Sequence, residues 1–227
     1  MSDDLGLALV IQAHPDDADI SSGATIAQWA REGRRVMYMT CTSGEAGSSN
    51  PPLRPEDLGP AREQEQRDAA AVLGVTDVAF LHYPDGRLEN TASLRQHVAT
   101  IILRARPALI LTHDALAEAE GHPDHRNLGQ AVVAAVAAAR HLGHTVSEVW
   151  LFHAREANHA VDVQATLELK LEAIACHRTQ RSLGEAPPDL VREWARTTGA
   201  RWNLELAESF RRLTVDECVR LAANAAE

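Results

Sequence analysis

The chain has 227 residues, 45% of them hydrophobic and 24% charged, the balance of a globular protein long enough for one sizeable core. Its formal net charge of −10 and its 4% aromatic content argue against a nucleic-acid surface, which needs clustered cations and stacking rings. Cys41, Cys176 and Cys218 are odd in number and form no CxxC pair, which reads as reduced thiols; with no secretory leader and no apolar run near the roughly 18 residues of a membrane span, a cytoplasmic protein without membrane contact is expected.

In chain order, apolar runs of strand length alternate with segments of helical period. Leu7–Ala13, Val36–Thr42, Val78–Tyr83, Ala108–Thr112 and Val149–His153 predict strands. Between them Thr25–Ala30, Arg62–Leu73, Leu94–Ala105 and Asn127–Ala139 carry apolar residues three and four apart and predict helices. Gly33, Gly74 and Gly143 fall just past three of these helices, where a left-handed cap is wanted, and Pro107 closes the remaining one. The stretch from Gly44 to Gly59, rich in Gly, Ser and Pro, predicts a long active-site loop. Beyond His153 the pattern weakens: Ala160–Val163 predicts a short strand, Gln164–Cys176 a helix, and Pro187-Pro188 the start of another. The chain therefore reads as one domain, 1–227, with a Rossmann-like core over 1–153 and a small appendage of strand and helices over 154–227.

Such βαβα alternation predicts a parallel sheet with helices on both faces and strand order 3-2-1-4-5. In that order the first and fourth strands are neighbours, and ligands bind outside their carboxyl ends. Gln12-Ala13-His14-Pro15-Asp16-Asp17 follows the first strand, while His113 and Gly121-His122-Pro123-Asp124-His125 follow the fourth. The two polar clusters are predicted to face each other.

A catalytic zinc site takes three ligands from His, Asp or Glu and leaves a fourth position open. His14, Asp17 and His125 supply such a set, with their imidazole nitrogens expected within about 5 Å of one another given Zn–N bonds of roughly 2.0–2.1 Å. Asp16, next to a ligand, remains free to take a proton from water, and His122 to donate to a developing oxyanion. Two histidines and a carboxylate also suit Fe²⁺. The bland alternative is a His-Pro-Asp turn that caps a helix, in a non-enzymatic, Rossmann-type nucleotide-binding module; it is disfavoured because no G-x-G-x-x-G follows the first strand. His113, His153, His159 and His177 read mainly as structural, with His113 best placed to orient a ligand. Asp85, in a turn after the third strand, either binds a sugar hydroxyl or makes an Asx turn.

Ala13–Asp17 and His122–His125 resemble the two motifs, A-H-P-D-D and H-P-D-H, of the LmbE-like (PIG-L-type) N-deacetylases. The resemblance extends through Thr40–Gly44, Arg62 and Glu65, Tyr83-Pro84-Asp85-Gly86, Thr112-His113 and Asn158–Val163, covering about residues 7 to 180. It implies a Rossmann-like fold and a zinc-dependent hydrolase that removes an acyl group from the nitrogen of an N-acyl amino sugar or glycoconjugate. It further implies His14, Asp17 and His125 as ligands, Asp16 as general base, His122 assisting at the tetrahedral intermediate, Asp124 orienting His122, and Arg62 at the mouth against substrate. Homo-oligomers occur among related proteins, so self-association is compatible. Asp19 stands where many members carry Glu, and Glu120 where the mycothiol-pathway branch carries Tyr. An amidase acting on a mycothiol-like conjugate or another small amide is the alternative activity.

Overall fold

The computed structural model describes residues 5–116, 121–144, 146–181 and 186–224. Five parallel strands, β1 (Ala8–Gln12), β2 (Val36–Thr40), β3 (Asp77–Phe80), β4 (Leu109–His113) and β5 (Glu148–Phe152), stand in the order β3-β2-β1-β4-β5. This is the order the alternation predicts. Crossovers run through α1 (Asp17–Arg31), α2 (Pro55–Val72), α3 (Ala92–Ala105) and α4 (Pro123–His141).

Both faces of the sheet are covered, so its strands are apolar on both sides. Along β1 the pleat sends Leu9 and Ile11 into a core with Ile110, Leu151 and residues of α3 and α4, while Ala8 and Val10 join Tyr38, Leu111 and residues of α1 and α2 opposite. Thr112 Oγ1 donates to the Ile11 carbonyl at 2.8 Å, tying β4 to β1 where both strands end.

The segment after His153 is less of an appendage than the sequence suggests. It supplies β6 (His159–Asp162), α5 (Leu167–Cys176), the single turn α6 (Arg178–Arg181), α7 (Pro188–Arg201), β7 (Ala207–Leu213) and α8 (Val215–Asn224). β7 pairs antiparallel with β5, and β6 with β7, so among the described residues the sheet grows to seven strands in the order β3-β2-β1-β4-β5-β7-β6. α5 packs on α1 and α2, and α8 on α4. Two boundaries also differ from expectation. α1 starts at Asp17, far ahead of Thr25, and α2 starts at Pro55, so the loop before it is shorter than Gly44–Gly59. Pro55 fits the first turn because it lacks an N–H that a helix start leaves unpaired, and Glu56 and Asp57 favour the positive end of the helix dipole.

Candidate functional site

β1 ends at Gln12, and the chain turns through His14, Pro15 and Asp16 into α1. Asp16 sits at φ 93° and ψ −26°, a left-handed conformation unusual for a residue with a side chain. Buried groups hold it there. Its N–H donates to Gln66 Oε1 at 2.8 Å, and its Oδ2 meets Arg62 Nη2 at 3.1 Å. Gln66 is itself fixed, accepting from Gln12 Nε2 at 2.9 Å and donating to Asp19 Oδ2 at 2.8 Å. Asp19 also accepts from Tyr38 Oη at 2.7 Å and lies 2.8 Å from His177 Nε2.

The second cluster comes from the start of α4. His122 is its N-cap, accepting the Asp124 N–H on Nδ1 at 3.2 Å, and Pro123 occupies the first turn. The clusters meet. His14 Nδ1 lies 3.1 Å from His125 Nε2 and 3.4 Å from Asp17 Oδ2, and His125 Nε2 lies 3.2 Å from Asp17 Oδ1. Donor atoms arranged tetrahedrally at zinc distances of about 2.0–2.1 Å stand roughly 3.3 Å apart. His14 and His125 meet that spacing through single atoms, while Asp17 faces each of them with a different oxygen; among the described residues the groups whose single donor atoms all lie within 4.8 Å of one another are His14, His122 and His125, Asp17, His113 and His125, and His14, Asp85 and Asp124.

The other nitrogen of His14 faces carboxylates: Nε2 lies 3.0 Å from Asp85 Oδ1 and 3.3 Å from Asp124 Oδ2. A proton held there leaves the Nδ1 lone pair aimed at Asp17 and His125, the way a carboxylate orients a metal-binding imidazole. Backbone groups anchor both acids, Gly86 N and Leu88 N donating to Asp124 at 2.9 and 3.2 Å and Ala46 N to Asp85 at 2.9 Å.

The electrostatics favour added positive charge. Burial disfavours a charged His14, yet the charge of Asp17 and hydrogen bonds to Asp124, Asp17 and Asp85 outweigh it and push its pKa up to about 12. Burial would raise Asp17, but the charges of His125, His113 and His14 hold it well below the usual carboxylate range. Asp85 and Asp124 are likewise lowered, against their burial, by His14. A ring so surrounded by carboxylates favours positive charge, which a second proton or a metal ion supplies.

Two further histidines border the centre. His113 closes β4, stacks on His125 with ring centroids 4.2 Å apart, and places Nε2 3.2 Å from Asp17 Oδ2. Burial lowers its pKa to about 4 despite Asp17, and Nε2 accepts the Ala13 N–H at 3.1 Å, as a neutral ring can. His122 is lowered by burial and by the charges of His14 and His125. With Nδ1 accepting, its neutral ring carries the proton on Nε2.

Several side chains have other partners than the sequence suggests. Arg62 is buried under the Asp16 turn, donating to Pro15 O at 2.8 Å and Gly44 O at 3.1 Å as well as to Asp16, so it braces the site from beneath instead of standing at a mouth. Gly44, at φ +68°, leaves it room, since a Cβ there would stand 2.5 Å from Arg62 Nη1. Glu65 accepts from Thr179 N and Oγ1 at 3.1 and 2.7 Å. The Asp124 carboxylate lies against His14, whereas its link to His122 runs through its backbone N–H. Asp85 spends its two oxygens on His14 and Ala46 N. His159 packs on Trp150 at 4.7 Å between ring centroids, in the outer part of the sheet. Glu120 lies outside the described residues. Sequence reasoning missed Gln12, Gln66 and Tyr38; the one signal for them is a glutamine closing an otherwise apolar strand.

Residues 9–136 match the PIG-L family, described as GlcNAc-PI de-N-acetylase. A diacetylchitobiose deacetylase of Thermococcus kodakarensis is 30% identical over 189 residues, 78% of this chain and 71% of its own. A 1D-myo-inositol 2-acetamido-2-deoxy-alpha-D-glucopyranoside deacetylase of Actinosynnema mirum is 36% identical over 61% of this chain, which spans 59% of that relative's length. The N,N'-diacetylchitobiose deacetylase of Pyrococcus horikoshii superposes with a TM-score of 0.83 at 28% identity, over 92% of this chain and 84% of that one. The turn after β1, where a dinucleotide-binding module would carry glycines, holds in this chain the motif through which it belongs to the PIG-L family of de-N-acetylases.

Proposed function

We propose that the protein is a metal-dependent N-deacetylase that releases acetate from a 2-acetamido sugar carried in a disaccharide or glycoconjugate. The observation that carries this reading is the approach of His14 Nδ1 to within 3.1 Å of His125 Nε2, with the two oxygens of Asp17 3.4 and 3.2 Å from those same nitrogens. These three hold the ion; His113 and His122 suit the task less, because each already accepts a backbone N–H on a ring nitrogen. Nitrogen and oxygen donors of this kind favour Zn²⁺, with Fe²⁺ the competitor. The bound ion supplies Lewis acidity toward the amide carbonyl and acidifies water toward a pKa of about 7.

The remaining work falls to the chain's own groups. Asp16, its carboxylate held through Oδ2 by Arg62, takes the proton of the attacking water. His122 donates from Nε2 to the carbonyl oxygen as charge develops there, and the Asp124 N–H on Nδ1 fixes that tautomer. Asp16 then returns its proton to the departing amine, so that water and acetamide leave as acetate and free amine. The relatives' names support the substrate class: diacetylchitobiose and the inositol glycoside share a 2-acetamido hexose. No helix among the described residues is long and apolar enough to cross a membrane. Three free cysteines support a reducing, cytoplasmic setting.

The test is acetate release from N-acetylglucosamine and N,N'-diacetylchitobiose, with and without a chelator. Release that a chelator abolishes and zinc restores is expected. Release that persists unchanged in chelator would overturn the metal's part in the reading.

A further inference from the structure

Beside the candidate centre lies a cavity of about 320 Å³ between α1, α5, α7 and β7, within the size range of ligand pockets. Two contacts link its lining to the centre. Ile20 and Ser21 line it from the first turn of α1, and Ser21 Oγ donates to the Asp17 carbonyl at 2.7 Å. His153 lines it from the end of β5, next to Phe152, whose ring meets His113 at 4.5 Å.

Its floor carries a buried ion pair. Lys170 Nζ lies 2.6 Å from Glu208 Oε1, with the two side chains 6% and 4% exposed. The carboxylate is well satisfied, since Ala24 N and Thr25 N donate to its two oxygens at 3.2 and 2.8 Å. The ammonium is not. It has three N–H donors, and among the described residues Glu208 is its one hydrogen-bond acceptor. Gly23 makes the approach possible, since a Cβ there would stand 3.1 Å from Lys170 Cγ. Trp194 of α7 also lines the cavity and is 44% exposed, an aromatic surface open to a ligand.

We propose that this cavity is the subsite for a neutral polyhydroxylated ring, a second sugar or a cyclitol, linked to the acetamido sugar; the proposal rests on the deacetylase reading above. The ring's hydroxyl oxygens accept from Lys170 Nζ while its apolar face lies on Trp194. The charge balance selects a neutral group, because the Lys170–Glu208 pair already cancels. An aliphatic acyl chain fits poorly, as it would leave the ammonium's spare donors dry.

The experiment compares N-acetylglucosamine with N,N'-diacetylchitobiose in the wild type, in Trp194→Ala and in the double variant Lys170→Met/Glu208→Gln, which removes both charges together. Calorimetric binding of the products glucosamine and mono-N-acetylchitobiose, whose second ring stays acetylated and neutral, is measured alongside. In Trp194→Ala, which alters a half-exposed side chain, KM for the disaccharide and Kd for mono-N-acetylchitobiose rise about tenfold. The monosaccharide values stay within about twofold, and the double variant behaves likewise. Equal losses on both sugars, or no loss on either, would overturn the subsite. A wild type that releases acetate from neither sugar overturns the deacetylase reading instead, and mono-N-acetylchitobiose binding that still depends on Trp194 then retains the subsite.

Discussion

Gln66 is the polar hub beneath the Asp16 turn, so Gln66→Leu tests how that turn is held. The substitution keeps the side chain's bulk but removes three hydrogen bonds, from Asp16 N at 2.8 Å, from Gln12 Nε2 at 2.9 Å and to Asp19 Oδ2 at 2.8 Å. All three partners are buried. A buried polar group left unsatisfied costs about 1–3 kcal/mol. Gln12 Nε2 keeps Thr40 Oγ1, and Asp19 keeps Tyr38 and His177, which brings the sum toward the lower end. The expected loss is about 3–5 kcal/mol, a large share of the roughly 5–15 kcal/mol of a typical domain. A non-glycine residue held left-handed carries strain of about 1–3 kcal/mol, and Asp16 relaxes once its N–H is released. Activity should therefore fall further than the folded fraction does. Gln66→Glu restores the acceptor for Asp16 N but sets a carboxylate against Asp19, so it should not rescue the variant. Urea denaturation followed by circular dichroism measures the stability, and acetate release per folded molecule the turnover. A Gln66→Leu protein within 1 kcal/mol of wild type by that measurement, with full turnover, would refute the view that this network holds the base in place.

Three further outcomes follow from the site. Asp16→Asn should retain the metal and lose about 10²–10⁴ in kcat, as expected for a missing general base; metal content and turnover on one preparation check this. His122→Ala should lose about 10²–10³ in kcat with little change in bound metal, the signature of a lost oxyanion donor. In chelator-treated protein, His14 is raised from 6.5 to about 12, so its stabilisation is complete below pH 6.5 and lost as pH climbs toward the folded value, by at most about 1.4 kcal/mol per pH unit. Asp17 is lowered, so its contribution holds above the ordinary carboxylate pKa of about 3.9 and is lost as pH falls through its lower folded value. Urea midpoints across the pH range should accordingly decline from pH 7 to pH 9 in the stripped protein; a steady rise would contradict the assignment.

Much of this was legible in the sequence because the signals were strong and local. A strand such as Leu7–Ala13, apolar on both faces, must be covered on both faces, and polar residues gathered at its end have nowhere to go but a crevice. The order of the first five strands follows from that alternation, and with it the meeting of His14 and Asp17 with His125. What escaped depends on distant pairing. β7 reads Ala-Glu-Ser-Phe-Arg-Arg-Leu, and its buried Glu208 breaks the alternation a strand should show. That glutamate is buried only because Lys170, far off in α5, meets it. The start of α2 hid behind Gly59 and Pro60, which signal a loop until packing overrides them. The resemblance set Arg62 at the active-site mouth, and nothing in the sequence reveals that Pro15, Gly44 and Asp16 converge on its guanidinium.

The proposed function needs His14, Asp17 and His125 to grip one divalent cation. Elemental analysis after exhaustive dialysis, run on the wild type and on His14→Ala, Asp17→Ala and His125→Ala, tests it most directly. The wild type should carry one zinc or iron per chain and each variant should lose it while circular dichroism still reports a folded protein. Equal metal in wild type and in all three folded variants would contradict the claim.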